Sequence, residues 1–278
     1  MGHSHESRCF LERIQGDSRS RPTFDLIGAR DLARSPVRLS SGFAQHALVC
    51  IPAVLALCGP QQFARFSQEF HGIREMLVLH VPGFLAEEQL PASMDVAIAY
   101  QVSAIEAAVG PHRPLILAGY STGGAFAYIL AQELEAAGRR VSAVVLLDTY
   151  PPGPGGVPDG QLSAIVQHLR DNRDWRDFLN ETRLTAMGWY TSALTTVDLR
   201  PVEAPTLLLR AMQPMAAVDD GDWRASWPFP HEARDTPGDH YSMMQLHAGT
   251  AAQTVESWLG LTLGGSVQDR VLTRRRAS

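Results

Sequence analysis

A strand–turn–helix segment near the middle of the chain constrains the fold more than any other feature. Leu115–Ala118 is an apolar run typical of a buried strand, and the Ala- and Leu-rich segment from Gly124 to Ala137 is typical of a helix. Between them lies Gly119-Tyr-Ser-Thr-Gly123, with a glycine two residues before and two residues after Ser121. A serine becomes a useful nucleophile only when a base removes its proton and when it stands clear of the sheet. The two glycines leave room for such a sharp turn, so the segment predicts a nucleophile at Ser121.

Short apolar segments alternate with helical ones along most of the chain. We predict strands at 37–39, 46–51, 76–81, 115–118, 141–147 and 206–211, and helices at 61–70, 93–109, 124–137 and from about 243. This alternation is typical of a mostly parallel sheet covered by helices on both faces. Together with the serine turn it predicts the α/β class and, within it, the α/β-hydrolase fold.

The stretch at about 151–200 interrupts the alternation. A Pro- and Gly-rich run at 150–158 ends regular structure, and two apolar stripes follow: Leu162, Ile165, Val166 and Leu169, then Leu184, Met187, Tyr190 and Leu194. Two consecutive helices exceed one crossover, which favours a cap inserted over the site, with long crossover helices as the alternative. Met187, Trp189 and Tyr190 are candidate walls of a substrate channel, and core packing is the other interpretation of each.

These boundaries predict a division of the chain into three parts. Residues 1–25 form an N-terminal extension or residual leader, residues 26–262 form the hydrolase domain with its cap, and residues 263–278 are expected to be a disordered tail.

Composition excludes several classes of partner. The net charge is −5, from 24 basic and 29 acidic residues, so no basic face points to nucleic acid. The three cysteines lack metal-ligand spacing, no metal site is expected, and Cys50 in a strand-like run is expected to be a buried, inert thiol. No apolar run reaches the length of a membrane span, and the polar N-terminus is unlike a signal peptide. A cytoplasmic protein is therefore expected.

The base for Ser121 is predicted from position among ten histidines. In this fold the order along the chain is serine, acid, histidine, with the histidine on a loop after the last core strand. His240 lies in such a loop, Thr236-Pro-Gly-Asp-His-Tyr-Ser242. His231 precedes the expected last strand and His247 is expected inside the next helix, so we predict that His240 takes the serine proton and returns it to the leaving group.

The acid is less determined by the spacing. Many hydrolases of this fold place it after the strand equivalent to 206–211, but here the next carboxylates are Asp219 and Asp220. Asp148 ends the strand that follows the serine unit, where it could orient the imidazole. The alternatives are a turn-capping acid at Asp148 and solvated loop acids at 219 and 220; spacing favours Asp148.

Two backbone amides are expected to stabilise the developing oxyanion. One belongs to Thr122, directly after the serine, at a helix N-terminus. The other should come from the loop after the 46–51 strand. Pro52 has no N–H, so Ala53 or Val54 remains.

Several of these segments resemble the terminal thioesterase domain of modular polyketide synthases, and the resemblance covers most of the chain. The matching stretches are Gly59-Pro-Gln-Gln-Phe63, Val81-Pro-Gly-Phe84, Gly119-Tyr-Ser-Thr-Gly-Gly124, Leu147-Asp-Thr-Tyr-Pro-Pro152, Trp227-Pro-Phe229 and Pro237-Gly-Asp-His-Tyr241. The family usually has histidine where this chain has Tyr120. The resemblance implies that Asp148 is the acid, and alignment on Gly59-Pro60 implies that Val54 supplies the second oxyanion amide.

The resemblance also implies an activity and partners. An acyl carrier protein would deliver a polyketide as a phosphopantetheine thioester, Ser121 would form an acyl-enzyme, and the domain would need no cofactor of its own. Similarity to chain-hydrolysing members implies release of a free acid; a macrolactone-forming enzyme, an editing thioesterase, an esterase and an inactive binding module are the alternatives. Family members often dimerise through N-terminal leader helices, so a homodimer through the N-terminal segment is expected, although here that segment is short and polar.

Overall fold

The central sheet carries the predicted serine turn near its middle. In the computed structural model we describe residues 18–153, 156–158, 164–165, 167, 179–215 and 223–264. Within these residues seven strands form the sheet: β2 Val37–Ser40, β3 Ala47–Ile51, β4 Met76–Val78, β6 Leu115–Tyr120, β7 Val141–Leu147, β8 Thr206–Ala211 and β9 Glu232–Thr236. Their order is β2-β4-β3-β6-β7-β8-β9, with β2 antiparallel and the other neighbours parallel. The predicted mostly parallel sheet is confirmed.

Helices cover both faces of this sheet. The α-helices whose bounds lie within the described residues are α1 Leu26–Asp31, α2 Met94–Val109, α3 Thr122–Ala136, α4 Glu181–Leu194 and α5 Ala248–Thr262. Short 3₁₀ helices cover Ser18–Ser20, Pro60–Phe63, Phe66–Phe70 and Ser242–Met244, and β1 Thr23–Phe24 pairs with β5 Leu90–Pro91 beside the main sheet. Ser93 caps α2 through its side chain, as its position before the helix predicts.

Alternation along the central strands separates two apolar cores. In β6, Leu115 and Leu117 belong to the cluster that includes α2, α3 and α4, whereas Ile116, Ala118 and Tyr120 belong to the cluster that includes α5. Both faces of the strand are therefore buried, as a parallel central strand requires.

Three predicted elements differ from the structure. The segment 61–70 is not one α-helix but contains two 3₁₀ helices; the prediction was wrong because phenylalanines spaced by three and four residues share a face in either type of helix. The strand predicted at 76–81 ends at Val78. The helix expected from about 243 begins as a 3₁₀ turn, and α5 starts only at Ala248, so His247 precedes that helix rather than lying within it.

Some predictions fall outside the described residues. These are residues 1–17 of the N-terminal extension, most of the first predicted cap helix, the loop with Asp219 and Asp220, and the tail from 265. The second helix predicted for this stretch is present as α4, between β7 and β8; its role as a cap stays a prediction.

Candidate active site

Ser121 lies on a strained turn between β6 and α3. Its φ of 55° is in the left-handed region, which is uncommon for a residue with a side chain and is found where the surrounding structure imposes it. A Cβ atom on Gly119 would lie 2.1 Å from the Gly123 carbonyl oxygen, and one on Gly123 would lie 2.4 Å from the oxygens of Ile51 and Pro52. The two glycines are thus needed for the turn, as the sequence predicts.

Asp148 follows β7 at the position that corresponds to Ser121 after the neighbouring strand β6. Strand pairing aligns Tyr120 with Leu147, and the Ser121 N–H donates to the Leu147 carbonyl oxygen at 2.9 Å. Asp148 also has a positive φ, of 44°, so both residues leave their strands on sharp turns. Its backbone N–H donates to Leu209, and its Oδ1 accepts a hydrogen bond from the Ala211 N–H at 2.9 Å. The carboxylate is therefore fixed by the end of β8.

His240 completes a buried pair with Asp148. The imidazole Nδ1 lies 2.7 Å from Asp148 Oδ2, and both side chains are almost fully buried. An ionised carboxylate at that distance favours the tautomer with its proton on Nδ1, which leaves Nε2 as the acceptor. Among the described residues Nε2 has no hydrogen-bond partner although it is buried. An unprotonated imidazole nitrogen without a partner suits a group that must accept a proton.

The loop that carries His240 is held from two directions. Backbone N–H groups of Met212 and Gln213 donate to Thr236 and Gly238, which ties the loop to the end of β8. On its other side, Asp239 Oδ1 accepts hydrogen bonds from the backbone N–H groups of Tyr241 and Ser242. The loop therefore depends on the same strand end that fixes Asp148.

Tyr120 contacts His240 in two ways, and sequence reasoning did not account for it. Its hydroxyl donates to the His240 carbonyl oxygen at 2.6 Å, and its ring stacks on the imidazole with centroids 5.0 Å apart. Burial, together with the nearby Tyr241, Asp148 and Asp239, raises the pKa of Tyr120 well above its ordinary value, so the phenol remains a donor. The alternation of side chains along β6 could have indicated this contact. It places Tyr120 on the face of the sheet opposite α3, the same face as Ile116 and Ala118.

The loop after β3 lies directly against the serine turn. The Val54 N–H donates to the Thr122 hydroxyl at 3.0 Å, and the Ala53 N–H donates to Gln62 Oε1 at 2.7 Å. Gln62 also donates to the Ala53 carbonyl oxygen, and Arg183 of α4 donates to the Ala56 carbonyl oxygen. Side chains from three elements thus fix the loop expected to supply an oxyanion amide.

These residues fall within a recognised domain: residues 46–259 match the thioesterase domain family. The chain belongs to this family. It is 39% identical over 268 residues to the polyketide synthase GfsE of Streptomyces halstedii, and 34% identical over 259 residues to the erythronolide synthase EryA3 of Saccharopolyspora erythraea. These alignments cover 94% and 93% of this chain but only 7% and 8% of those proteins, so the thioesterase chain spans less than a tenth of their length.

Solved thioesterase domains share the fold. The NocB thioesterase domain from the nocardicin cluster has a TM-score of 0.59 and 20% identity, with 80% of this chain and 95% of that one covered. The surfactin-cyclising thioesterase domain SrfTE has a TM-score of 0.55 and 20% identity, with coverage of 77% and 92%. At this identity the likeness shows the fold alone, and it confirms the predicted α/β-hydrolase class.

A cavity of about 620 Å³ lies beside the predicted base in the thioesterase domain. Its lining includes Ala53, Gln62, Tyr120, Arg183 and Tyr241. Ser121 itself does not line it, so this space adjoins the oxyanion loop and the two aromatic residues around His240 rather than the serine.

The three predicted channel residues lie elsewhere. Met187 and Tyr190 are fully buried in the core of the thioesterase domain, and the Tyr190 hydroxyl donates to Pro82. Trp189 is partly buried against the same core and packs edge-on to Tyr190. This packing matches the core alternative, and a channel-wall role for the three residues stays a prediction.

His231 and the cysteines, which the sequence analysis also considered, make no contact with Ser121, Asp148 or His240 among the described hydrogen bonds. His231 is exposed before β9, with Nδ1 2.7 Å from the Phe229 carbonyl oxygen. Cys50 is buried as expected, and so is Cys58; burial raises the pKa of both thiols. Among the described residues no group of His, Cys, Asp and Glu side chains could hold a metal ion, and no helix is long and apolar enough to cross a membrane.

Proposed function

We propose that the chain is a serine thioesterase that releases a polyketide from an acyl carrier protein through an acyl-Ser121 intermediate. The observation that carries this proposal is the buried 2.7 Å contact between His240 Nδ1 and Asp148 Oδ2, near the strained turn of Ser121. Among the described residues Nε2 of His240 has no hydrogen-bond partner. Membership of the thioesterase family and the polyketide synthase relatives support the class of substrate.

The first half of the proposed reaction forms the acyl-enzyme. The Ser121 oxygen attacks the thioester carbon while its proton passes to His240 Nε2, and Asp148 stabilises the imidazolium that results. The carbonyl electron pair moves onto the oxygen, which the Thr122 N–H and the Val54 loop stabilise. When the intermediate collapses, the carbon–sulfur bond breaks and the phosphopantetheine thiol leaves with the proton from His240.

The second half returns the enzyme to its starting state. A water molecule gives its proton to His240 and attacks the acyl carbon, and Ser121 leaves with that proton. The product is a free acid. In the macrolactone alternative a hydroxyl group of the same chain replaces water, while in the editing or esterase alternatives the acyl group is short or is attached through oxygen.

The partners in this proposal follow from the substrate. The acyl carrier protein brings the phosphopantetheine arm, and the thioesterase needs no cofactor of its own. We also propose a homodimer through the N-terminal segment: α1 adjoins that segment and exposes Leu26 and Ile27, with 57% and 77% of their surface accessible. Light scattering of the chain with and without residues 1–17 tests the dimer.

The activity is tested in two steps. A fluorophosphonate probe should label wild type at Ser121, located by peptide mass spectrometry, and should not label Ser121→Ala. Unlabelled wild type is then tested with one acyl group presented as a carrier-bound thioester and as a simple oxygen ester. A strong preference for the oxygen ester would refute the thioesterase proposal in favour of the esterase.

A further inference from the structure

The second expected oxyanion donor is already hydrogen-bonded within the protein. The Val54 N–H donates to the Thr122 hydroxyl at 3.0 Å, and Val54 is fully buried. Its neighbour Ala53 cannot replace it, because the Ala53 N–H donates to Gln62. A carbonyl oxygen that needs a second donor must therefore displace the Thr122 hydroxyl or accept a hydrogen bond from it.

The position of the Thr122 hydroxyl suits the second route. Thr122 is the residue whose backbone N–H is the first expected oxyanion donor, and covalent geometry keeps its Oγ1 within about 3 to 4 Å of that nitrogen. In the contact with Val54 the hydroxyl is the acceptor, so its own proton is available to a second partner. No described residue accepts a hydrogen bond from this hydroxyl, and Thr122 is only half-buried.

We propose that the Thr122 hydroxyl is itself the second oxyanion donor and that the Val54 N–H acts through it. This inference rests on the proposed acyl transfer at Ser121. As the carbonyl oxygen becomes negative, it accepts one hydrogen bond from the Thr122 N–H and one from the Thr122 hydroxyl. Thr122 keeps its proton throughout. The hydrogen bond from Val54 polarises the hydroxyl and strengthens its donation, as expected for hydrogen bonds in series.

The substitution Thr122→Val tests this role because valine keeps the shape and removes the hydroxyl. An interaction made only in the transition state lowers kcat and kcat/KM by the same factor. We expect a loss of about tenfold to a hundredfold in both, somewhat below the usual cost of an oxyanion donor because Val54 can partly substitute. Thr122→Ser should stay within about threefold of wild type. Thr254→Val, on the exposed side of α5, is the matched control.

A thionoester distinguishes the proposed role from a purely structural one. Its developing charge falls on sulfur, a weak hydrogen-bond acceptor, so the ratio of wild type to Thr122→Val should shrink toward one. If kcat of Thr122→Val equals or exceeds that of wild type on the substrate with an ordinary carbonyl oxygen, the hydroxyl only accepts the hydrogen bond of the Val54 N–H, and the inference is wrong. The inference is also wrong if Thr122→Ser loses as much as Thr122→Val.

The rate of fluorophosphonate labelling separates this inference from the proposed function. The phosphoryl oxygen enters the same oxyanion site, so Thr122→Val should be labelled more slowly than wild type and Thr122→Ser should not. If wild type is labelled but hydrolyses no thioester, the proposed function fails, and the labelling ratio still decides the role of Thr122. Equal labelling of all three proteins would overturn the inference.

Discussion

Tyr120 and His240 form a contact whose two parts can be separated by substitution. Tyr120→Phe keeps the stacked ring and removes the 2.6 Å hydrogen bond to the His240 carbonyl oxygen, whereas Tyr120→Leu removes both. Without the Tyr120 hydroxyl the buried His240 carbonyl oxygen has lost its hydrogen bond, and the loop that carries His240 is held less firmly. We therefore expect kcat to fall about threefold to tenfold in Tyr120→Phe and further in Tyr120→Leu. KM should change little.

The pH profile of kcat/KM distinguishes this positioning role from a general loss of stability. If Tyr120 orients the imidazole, the acidic limb of the profile should shift in Tyr120→Leu, since the environment of His240 changes. Unchanged profiles in both variants, with activity lost only in proportion to unfolded protein, would limit Tyr120 to a packing role.

Asp148 holds the imidazole of His240 through one carboxylate oxygen. Its carboxylate contacts His240 Nδ1 and also accepts from the Ala211 N–H. Asp148→Asn retains the shape but presents an amide to the imidazole, which favours the wrong tautomer, so kcat should fall by orders of magnitude. Asp219→Asn and Asp220→Asn should remain near wild type. Steady-state kinetics on one thioester compares all three, and the reverse pattern would reassign the acid.

What the sequence could predict about these residues depends on how local their determinants are. Ser121 is predicted by glycines within two residues of it, and His240 by a Pro-Gly loop at the expected place in the chain order. The role of Tyr120 depends on a partner 120 residues away, and the Thr122 hydroxyl meets Val54 only because two loops lie side by side. The periodicity of hydrophobic residues along the chain does not indicate contacts between such distant segments.

The loop after β3 depends on one side chain from the 3₁₀ helix Pro60–Phe63. Gln62 accepts from the Ala53 N–H, and its amide donates to the carbonyl oxygens of Ala53 and Leu57. Gln62→Leu should destabilise the fold by about 1 to 3 kcal/mol, because it leaves these groups unpaired. It should also lower kcat by loosening the oxyanion loop. Gln61→Leu, which loses only an exposed contact with Leu57, is the control, measured by urea unfolding and turnover.

A second loop is held by a buried carboxylate. Glu88 accepts hydrogen bonds from the backbone N–H groups of Gly83 and Leu85, lies 2.7 Å from His80 Nε2 and pairs with Arg34 at 3.1 Å. Burial alone would raise the pKa of Glu88, but the hydrogen bond and charge of His80, the Leu85 amide and Arg34 together lower it. The folded state therefore favours the ionised carboxylate.

This lowered pKa predicts how the contribution of Glu88 to stability depends on pH. A carboxylate with a lower pKa in the folded state stabilises the fold above its unfolded pKa of about 4.3 and loses that effect as the pH falls through the folded pKa. The free energy of unfolding of wild type should thus exceed that of Glu88→Gln at pH 7, and the difference should shrink below about pH 4. Urea unfolding across this range measures it. The exposed Glu87→Gln should show no such difference at any pH.

Elements were predictable where one pattern dominates their sequence. β7 and β8 have the predicted bounds, because each is a mainly apolar run with a polar residue at most two positions after its end. The two 3₁₀ helices were not, since phenylalanines spaced by three and four residues fit an α-helix equally well.

On the scale of the whole molecule, the fold was predictable from the alternation of strands and helices, whereas the size and position of the cavity were not. The 620 Å³ space is lined by residues from the loop after β3, the segment 61–65, β6, α4 and the segment after His240. The size and position of this cavity depend on how five segments, distant in sequence, pack together. They cannot be predicted from the sequence of any one segment.

The mode of release is also a property of the whole molecule, since the surroundings of the acyl-enzyme decide whether water or a hydroxyl group of the chain attacks it. We expect hydrolysis. With a carrier-bound chain that contains a free hydroxyl, in water enriched with oxygen-18, the main product should be an acid with one labelled carboxyl oxygen. Water attack on the acyl carbon leaves its oxygen in the product, whereas lactone formation incorporates none.

Two controls make the isotope experiment decisive. Ser121→Ala measures spontaneous thioester hydrolysis, which also incorporates label, and its rate is subtracted. The same chain with its hydroxyl methylated cannot cyclise, so its rate of acid formation gives hydrolysis without competition. If the free hydroxyl chain yields mainly unlabelled lactone, and the methylated chain remains on Ser121, then the domain excludes water and is a cyclase.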